Sequence, residues 1–250
     1  MRWIAPVPRS VLGESLEREV AMRMKKDDSL ESVTSILGLF VDDAVVSLID
    51  AILAPQFEAQ LVHLASRSYE HTFGFSKLVL MEKPGAYKVR LHAWPQGGRE
   101  SDIHDHRWNF GSRVLRGGYR FEEYVIRPGE GWHCYRYRPT AGAAHFGLEG
   151  LGTCDVACVR RGHVLPDAGY SLGVGTAHRV WTHSAEPTVS LVIQGRDLQQ
   201  STTVLTREPR SAQQFTQVPV ERLDPARYRQ LLSQIRTRLL EPCRPAQWVG

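Results

Sequence analysis

Ile103-His104-Asp105-His106-Arg107-Trp108 sets two imidazoles two residues apart, and Ala177-His178-Arg179-Val180 supplies a third much later in the chain. On a β-strand side chains alternate with period two, so His104 and His106 fall on one face. An imidazole arriving from another strand would close a metal site of three neutral nitrogens. Such donors suit Fe, Zn, Cu or Ni, whereas Mg and Ca prefer oxygen. They also leave positions free for water, substrate or dioxygen. The rest of the chain must then build a shell that carries His178 to the pair.

The elements for such a shell are present. From about Lys77 onward the chain breaks into short β-type runs: Lys77–Met81, Tyr87–Trp94, Ser112–Leu115, Tyr119–Ile126, Trp132–Tyr137, Cys154–Arg160, His163–Leu165, Tyr170–Val174, His178–Thr182, Val189–Gln194 and Ser201–Leu205. Turn signals such as Lys83-Pro84-Gly85 and Arg127-Pro128-Gly129-Glu130 separate them. Many short strands without a βαβ rhythm predict a double-sheet barrel or jelly roll. Residues 138–153, rich in Gly, read as a long surface connection. Upstream, Gly13–Met24 reads as a short helix, Ser29 opens another with helix-start chemistry, and Val41–Leu53 and Pro55–Arg67 have helical apolar spacing. Asp224-Pro225 predicts the start of a last helix reaching Leu239. The expected division is a helical segment over 1–70 packed on the barrel, the barrel over 71–210, and a helical extension over 211–250.

Composition sets bounds. With 250 residues, 42% hydrophobic and 23% charged, the chain can bury one large core. A formal charge of +4 without a basic run argues against a nucleic-acid partner and suits a small anionic substrate. No window reaches the roughly 18 apolar residues of a membrane span. The N-terminus has no apolar signal core, so a cytoplasmic location is expected. Cys154 and Cys158 fall on one strand face, and with Cys134 and Cys243 they read as reduced thiols rather than a zinc site.

Taken together, Tyr87–Pro95, the Ile-His-Asp-His string, Gly117-Gly118-Tyr119-Arg120, and His178-Arg179-Val180 with Glu186-Pro187-Thr188-Val189-Ser190-Leu191 resemble a cupin. More narrowly they resemble the cysteine dioxygenase branch, the thiol dioxygenases, over about residues 75–195. The resemblance implies a mainly β cupin double-stranded β-helix, a jelly-roll barrel with an N-terminal helical layer and a C-terminal helix. It implies His104, His106 and His178 as ligands to Fe(II), with Zn, Ni, Cu or Mn as alternatives. The wider cupin pattern has a Glu ligand about five residues after the His pair; here Arg107–Gly111 carries no carboxylate. A divalent ion held by neutral ligands keeps its full charge and attracts anions. Where some members carry a crosslinked Cys this chain has Gly111. In the Ser-His-Tyr relay only Ser190 is in register, with Val192 and Gln194 at the other two positions.

Around the metal, parity counted from Gly111 turns Arg113 and Leu115 inward, making Arg113 a candidate bidentate clamp for a carboxylate or phosphate. A slip of one residue would turn it to solvent. Arg90, His92 and Trp94 share the inward face, and His92 reads either as a hydrogen-bond donor beside the substrate or as a core histidine. Gln194 and His92 are the candidates for fixing polar substrate atoms; Arg113, Arg90, Trp94 and Ser190 are those for binding it. Lys77 reads as an exposed strand-end residue, Trp108 and Trp181 as lid or core aromatics, and Asp105 as pointing away from the ligands and orienting or solubilising its loop. His145, His163 and His183 are assigned no metal. The function expected is a mononuclear non-haem iron oxygenase acting with dioxygen on a small anionic, amino-acid-like or thiol molecule. The alternatives are a metal-dependent lyase or isomerase, or a non-catalytic binding cupin. A homodimer paired through sheet edges is a further expectation.

Overall fold

The structure, a computed structural model, describes residues 9–26, 29–71, 73–96, 101–139, 146–182, 186–210 and 221–242. The helices are α1 (Arg9–Lys26), α2 (Leu30–Leu37), α3 (Asp42–Leu53), α4 (Glu58–Arg67) and α5 (Pro225–Leu240), with a 3-10 turn at Pro55–Phe57 before α4. Their starts follow from side-chain chemistry. Ser29 Oγ accepts from the Ser32 amide at 3.2 Å and Asp224 Oδ1 from the Arg227 amide at 2.8 Å, so each caps an orphan donor. Pro55 and Pro225 stand in first turns, where their missing N–H costs nothing. No single helix among the described residues is long and apolar enough to cross a membrane.

Twelve strands follow the helices: β1 (Tyr69–His71), β2 (Phe75–Lys83), β3 (Tyr87–Trp94), β4 (Ile103–His104), β5 (Phe110–Arg116), β6 (Tyr119–Pro139), β7 (Phe146–Val164), β8 (Gly169–Leu172), β9 (Ala177–Trp181), β10 (Thr188–Gln194), β11 (Thr202–Thr206) and β12 (Glu221–Arg222). One sheet has the order β12-β1-β2-β3-β10-β5-β8, and the other β11-β4-β9-β6-β7. All pairings are antiparallel. Two such sheets face to face make the expected jelly-roll barrel.

The larger sheet is a shared wall. On β3 and β10, Val89, Leu91, Val189, Leu191 and Ile193 join the helices in the main apolar core. The alternate residues Lys88, Arg90, His92, Trp94, Ser190, Val192 and Gln194 face a cavity between the sheets. Because both faces are covered, the strands carry few fully exposed positions. The helical layer therefore roofs the outer side of this sheet.

Three sequence expectations change here. The Arg127–Glu130 segment is an irregularity inside the continuous strand β6, facing Asp155 on β7, rather than a turn. Of the supposed surface connection, Phe146–Thr153 is strand, paired with the end of β6; glycines at 147, 150 and 152 disguise it. The first helix begins earlier and ends later than its apolar pattern suggested. Cys134, Cys154 and Cys158 are free thiols at the smaller sheet's core, and Cys243 lies outside the described residues.

Candidate metal centre

His104 and His178 are directly opposed across the β4–β9 pairing. β4 ends at His104, so His106 lies just past regular strand. It keeps the extended alternation because its neighbourhood is bonded on both sides. The Asp105 amide donates to Thr203 O at 3.1 Å, the Thr203 amide to Asp105 Oδ1 at 2.7 Å, and the Gly175 amide to His106 O at 3.1 Å. Asp105, buried and bonded to Thr203, thus orients the loop, the first of the two roles expected of it. The result is a triangle of rings with centroids 5.0, 4.7 and 5.0 Å apart. One nitrogen from each ring lies within 4.8 Å of the others, close enough for one cation to reach all three.

The donor set fits a metal. Burial pushes His104 down to about 4 and holds His106 and His178 well below the ordinary histidine value, so all three are neutral lone-pair donors near pH 7. His104 Nδ1 lies 2.8 Å from Asp102 O and His178 Nδ1 3.4 Å from Thr176 O. Giving Nδ1–H to a carbonyl fixes the tautomer and leaves Nε2 as the free donor. No carboxylate joins the cluster among the described residues. Any divalent ion there would keep its full charge.

Cross-strand register arranges the opposite wall in rows. Tyr69, Lys77, His92 and Ser190 form one; Arg90, Val192, Ser112 and Tyr170 the next; Lys88, Gln194, Phe110 and Leu172 the third. The cavity they enclose with the histidines is about 400 Å³, within the range of small-molecule sites. Arg90 is only 7% exposed, its Nε is buried without a hydrogen-bond partner, and its guanidinium lies 6.0 Å from the Trp108 ring centre. His92 Nε2 is also buried without a partner. Burial, then Arg90 and Lys77, hold His92 neutral. Trp94 stacks on Phe75 at 3.9 Å, Ser190 is buried beside the Tyr119 hydroxyl, and Gln194 lines the cavity.

Arg113 does not reach this space. Gly111, Arg113 and Leu115 face the helical side: a Cβ on Gly111 would sit 2.5 Å from Leu37 Cδ1, and Leu115 belongs to the helix-packed core. Arg113 instead pairs with Asp167 at 2.8 Å. The inward residues are Phe110, Ser112 and Val114, one step out of phase with the expectation, and a one-residue error exchanges the two faces.

Lys77 corrects the reading in the opposite sense. It lies inside the cavity with its Nζ 5.4 Å from both the Tyr69 and Phe75 ring centres. Burial lowers its ammonium below the ordinary lysine value, opposed by its hydrogen bond to Tyr69. Burial alone would raise the Tyr69 phenol, but Lys77 and Arg90 outweigh it and bring the phenol below its usual value. Also unassigned from sequence were His71, whose Nδ1 accepts from the Phe73 amide at 3.2 Å, and the bonded hydroxyls of Ser112 and Tyr119, 2.7 Å apart. The alternation in Tyr87–Trp94 was the signal that could have found Lys77, since Lys77 is the register partner of inward His92. Trp108 lines the cavity, Trp181 stacks under Arg179, and His163 bonds Arg120 on the outer hairpin. His145 and His183 lie outside the described residues.

No family model matches the chain, and no curated protein matches it in sequence. Solved structures similar to part of it include several described as cupins. The cupin domain of Schizosaccharomyces pombe Cnp3 is 10% identical with a TM-score of 0.32, covering 49% of this chain and 61% of that one. A hydroquinone 1,2-dioxygenase PnpCD, solved with Cd2+ and 4-hydroxybenzonitrile, is 17% identical with a TM-score of 0.32, covering 48% and 63%. A cupin superfamily protein from Desulfitobacterium hafniense DCB-2 is 10% identical with a TM-score of 0.32, covering 54% and 88%. In the first two cases the similarity spans less than two thirds of the other chain. Likeness this distant assigns no activity, and the functional reading rests on this chain's own residues.

Proposed function

We propose that the chain is a mononuclear non-haem iron oxygenase of the cupin fold, with His104, His106 and His178 as ligands and a small anionic, amino-acid-like or thiol molecule as substrate. The observation that carries this reading is the convergence of three neutral imidazoles, without a carboxylate, at the wall of a cavity that also buries Arg90. The thiol dioxygenase resemblance supports iron; Zn, Ni, Cu and Mn fit the same donors. Bound there, Fe(II) would supply the reduction of dioxygen. The chain's residues do the rest. Arg90 and Lys77 hold the substrate's anionic group, taking the part that Arg113 cannot. Trp94 and Phe75 pack against its apolar portion, while His92 and Gln194 offer polar atoms to orient it. The Ser112–Tyr119 hydroxyl pair, with Ser190 and Tyr170, supplies hydrogen-bond donors on the same wall. The sheets and aromatic walls limit contact with bulk water, which strengthens charge interactions inside.

The test is to purify the chain, measure its metal content, and follow oxygen consumption on adding Fe(II) with a panel of thiols and amino acids. About one iron per chain and oxygen uptake with an anionic member are expected. Zinc occupancy with no uptake across the panel would favour the lyase, isomerase or binding-module readings.

A further inference from the structure

We infer that the molecule this cavity binds is a small organic dianion, with one acidic group toward the three-histidine cluster and the other at Lys77 and Arg90. The inference deepens the metal reading above and rests on it.

Arg90 has no ion-pair partner among the described residues, and its Nε has no hydrogen bond at all. Glu82, the carboxylate that acts on it from a distance, is already shared by Arg67 at 2.7 Å and Lys88 at 3.2 Å. Lys77, one row away, has only the Tyr69 phenol. The acids at the cavity wall are engaged elsewhere: Asp102 pairs with Arg210, Asp105 takes the Thr203 amide, and Glu70 takes the Ser76 hydroxyl. Arg90 is thus buried, and Lys77 half-buried, without a carboxylate among the described residues to neutralise them. That is costly unless a ligand brings the missing charge. The metal cluster adds a second positive pole, because its ligands contribute no negative charge to offset a divalent ion.

A monoanion satisfies one pole and leaves the other bare. A molecule with two acidic ends satisfies both. Its body must be apolar, since Phe75 and Trp94 stack at 3.9 Å beside the cationic row, with His71 on Phe75 at 4.6 Å. A single polyanionic headgroup would offer nothing to these rings.

The test uses the full chain loaded with Zn(II), titrated calorimetrically at fixed ionic strength with glutarate, with pentanoate of the same length, and with inorganic phosphate. Glutarate is expected to bind at least about tenfold tighter than either of the others. In Arg90→Gln and Lys77→Gln the glutarate preference should fall below about threefold at unchanged metal content, and Arg90→Lys should restore part of it. Equal affinities for glutarate and pentanoate, phosphate binding as tightly as glutarate, or a preference unmoved in both Gln variants would overturn the inference. Metal content measured on the same samples separates the two readings. Absence of bound zinc sinks the metal assignment and this inference with it, whereas bound zinc without a glutarate preference sinks this inference alone.

Discussion

Two residues on one strand, Ser112 and Arg113, show how finely the site depends on parity. Ser112 lines the cavity while Arg113 lies on the other face against Asp167, with Asp167 largely exposed. Exposed pairs of this kind contribute about 0–1 kcal/mol. Arg113→Ala is therefore expected to leave ligand affinity within a factor of two, checked by calorimetry, and to change stability by less than about 1 kcal/mol in urea. His178→Ala should behave oppositely. It removes a whole ligand, so metal affinity should drop by at least about 100-fold, beyond the 10- to 100-fold typical of losing an outer partner. Elemental analysis after desalting reads this directly. Retention of a full equivalent of metal would exclude His178 as a ligand.

Among the elements, β5 and α5 are tied by one side chain. Arg116 donates to the carbonyls of Leu239 at 2.6 Å, Arg238 at 3.2 Å and Glu241 at 3.2 Å, and pairs with Asp42 at 2.5 Å. It satisfies the orphan carbonyls at the α5 C-terminus and attaches that helix and α3 to the barrel. Removing it leaves those groups and Asp42 unpaired in a mostly buried setting, so Arg116→Ala should cost about 3 kcal/mol in a denaturant titration. A cost under about 0.5 kcal/mol would mean that α5 docks through apolar contact alone. This clamp was invisible in the sequence, because it joins residues from three distant elements. The elements themselves were legible where local chemistry is strong: Ser29 and Asp224 as caps, Tyr87–Trp94 as a strand to the residue. Phe146–Thr153 was not, because glycine-rich exposed strand carries no alternation to read. The histidine pair was legible because two ligands sit in one short string. Lys77 was misread because nothing in its own strand distinguishes a lysine that faces a cavity from one at an exposed end; only its register against inward His92 on the next strand does.

For the whole molecule, burial of neutral histidines links stability to pH. His104 goes from about 6.5 when unfolded to about 4 when folded, and His71, His92, His106 and His178 are lowered too. The unfolded chain therefore binds more protons than the folded one between these values. Stability of the metal-free protein should be level above about pH 6.5 and fall steadily as pH drops toward 4, measured as Tm across a buffer series. Loading with Zn(II) should raise Tm at neutral pH and steepen the acid loss, because protons compete with the ion for the same nitrogens. A Tm profile flat from pH 7 to about 4.5 would show that these imidazoles are hydrated rather than buried.

The larger sheet has core side chains on one surface and cavity-facing ones on the other, carried alternately by the same backbone. Dense interiors transmit displacement instead of absorbing it. A helix leaning on Leu91 or Ile193 must therefore carry His92, Val192 and Gln194 with it. The selectivity of this cavity should consequently evolve, or be engineered, as readily from beneath the floor as from inside the room. Changes at Ile36 or Leu37, which touch no ligand, are a place to look for altered selectivity.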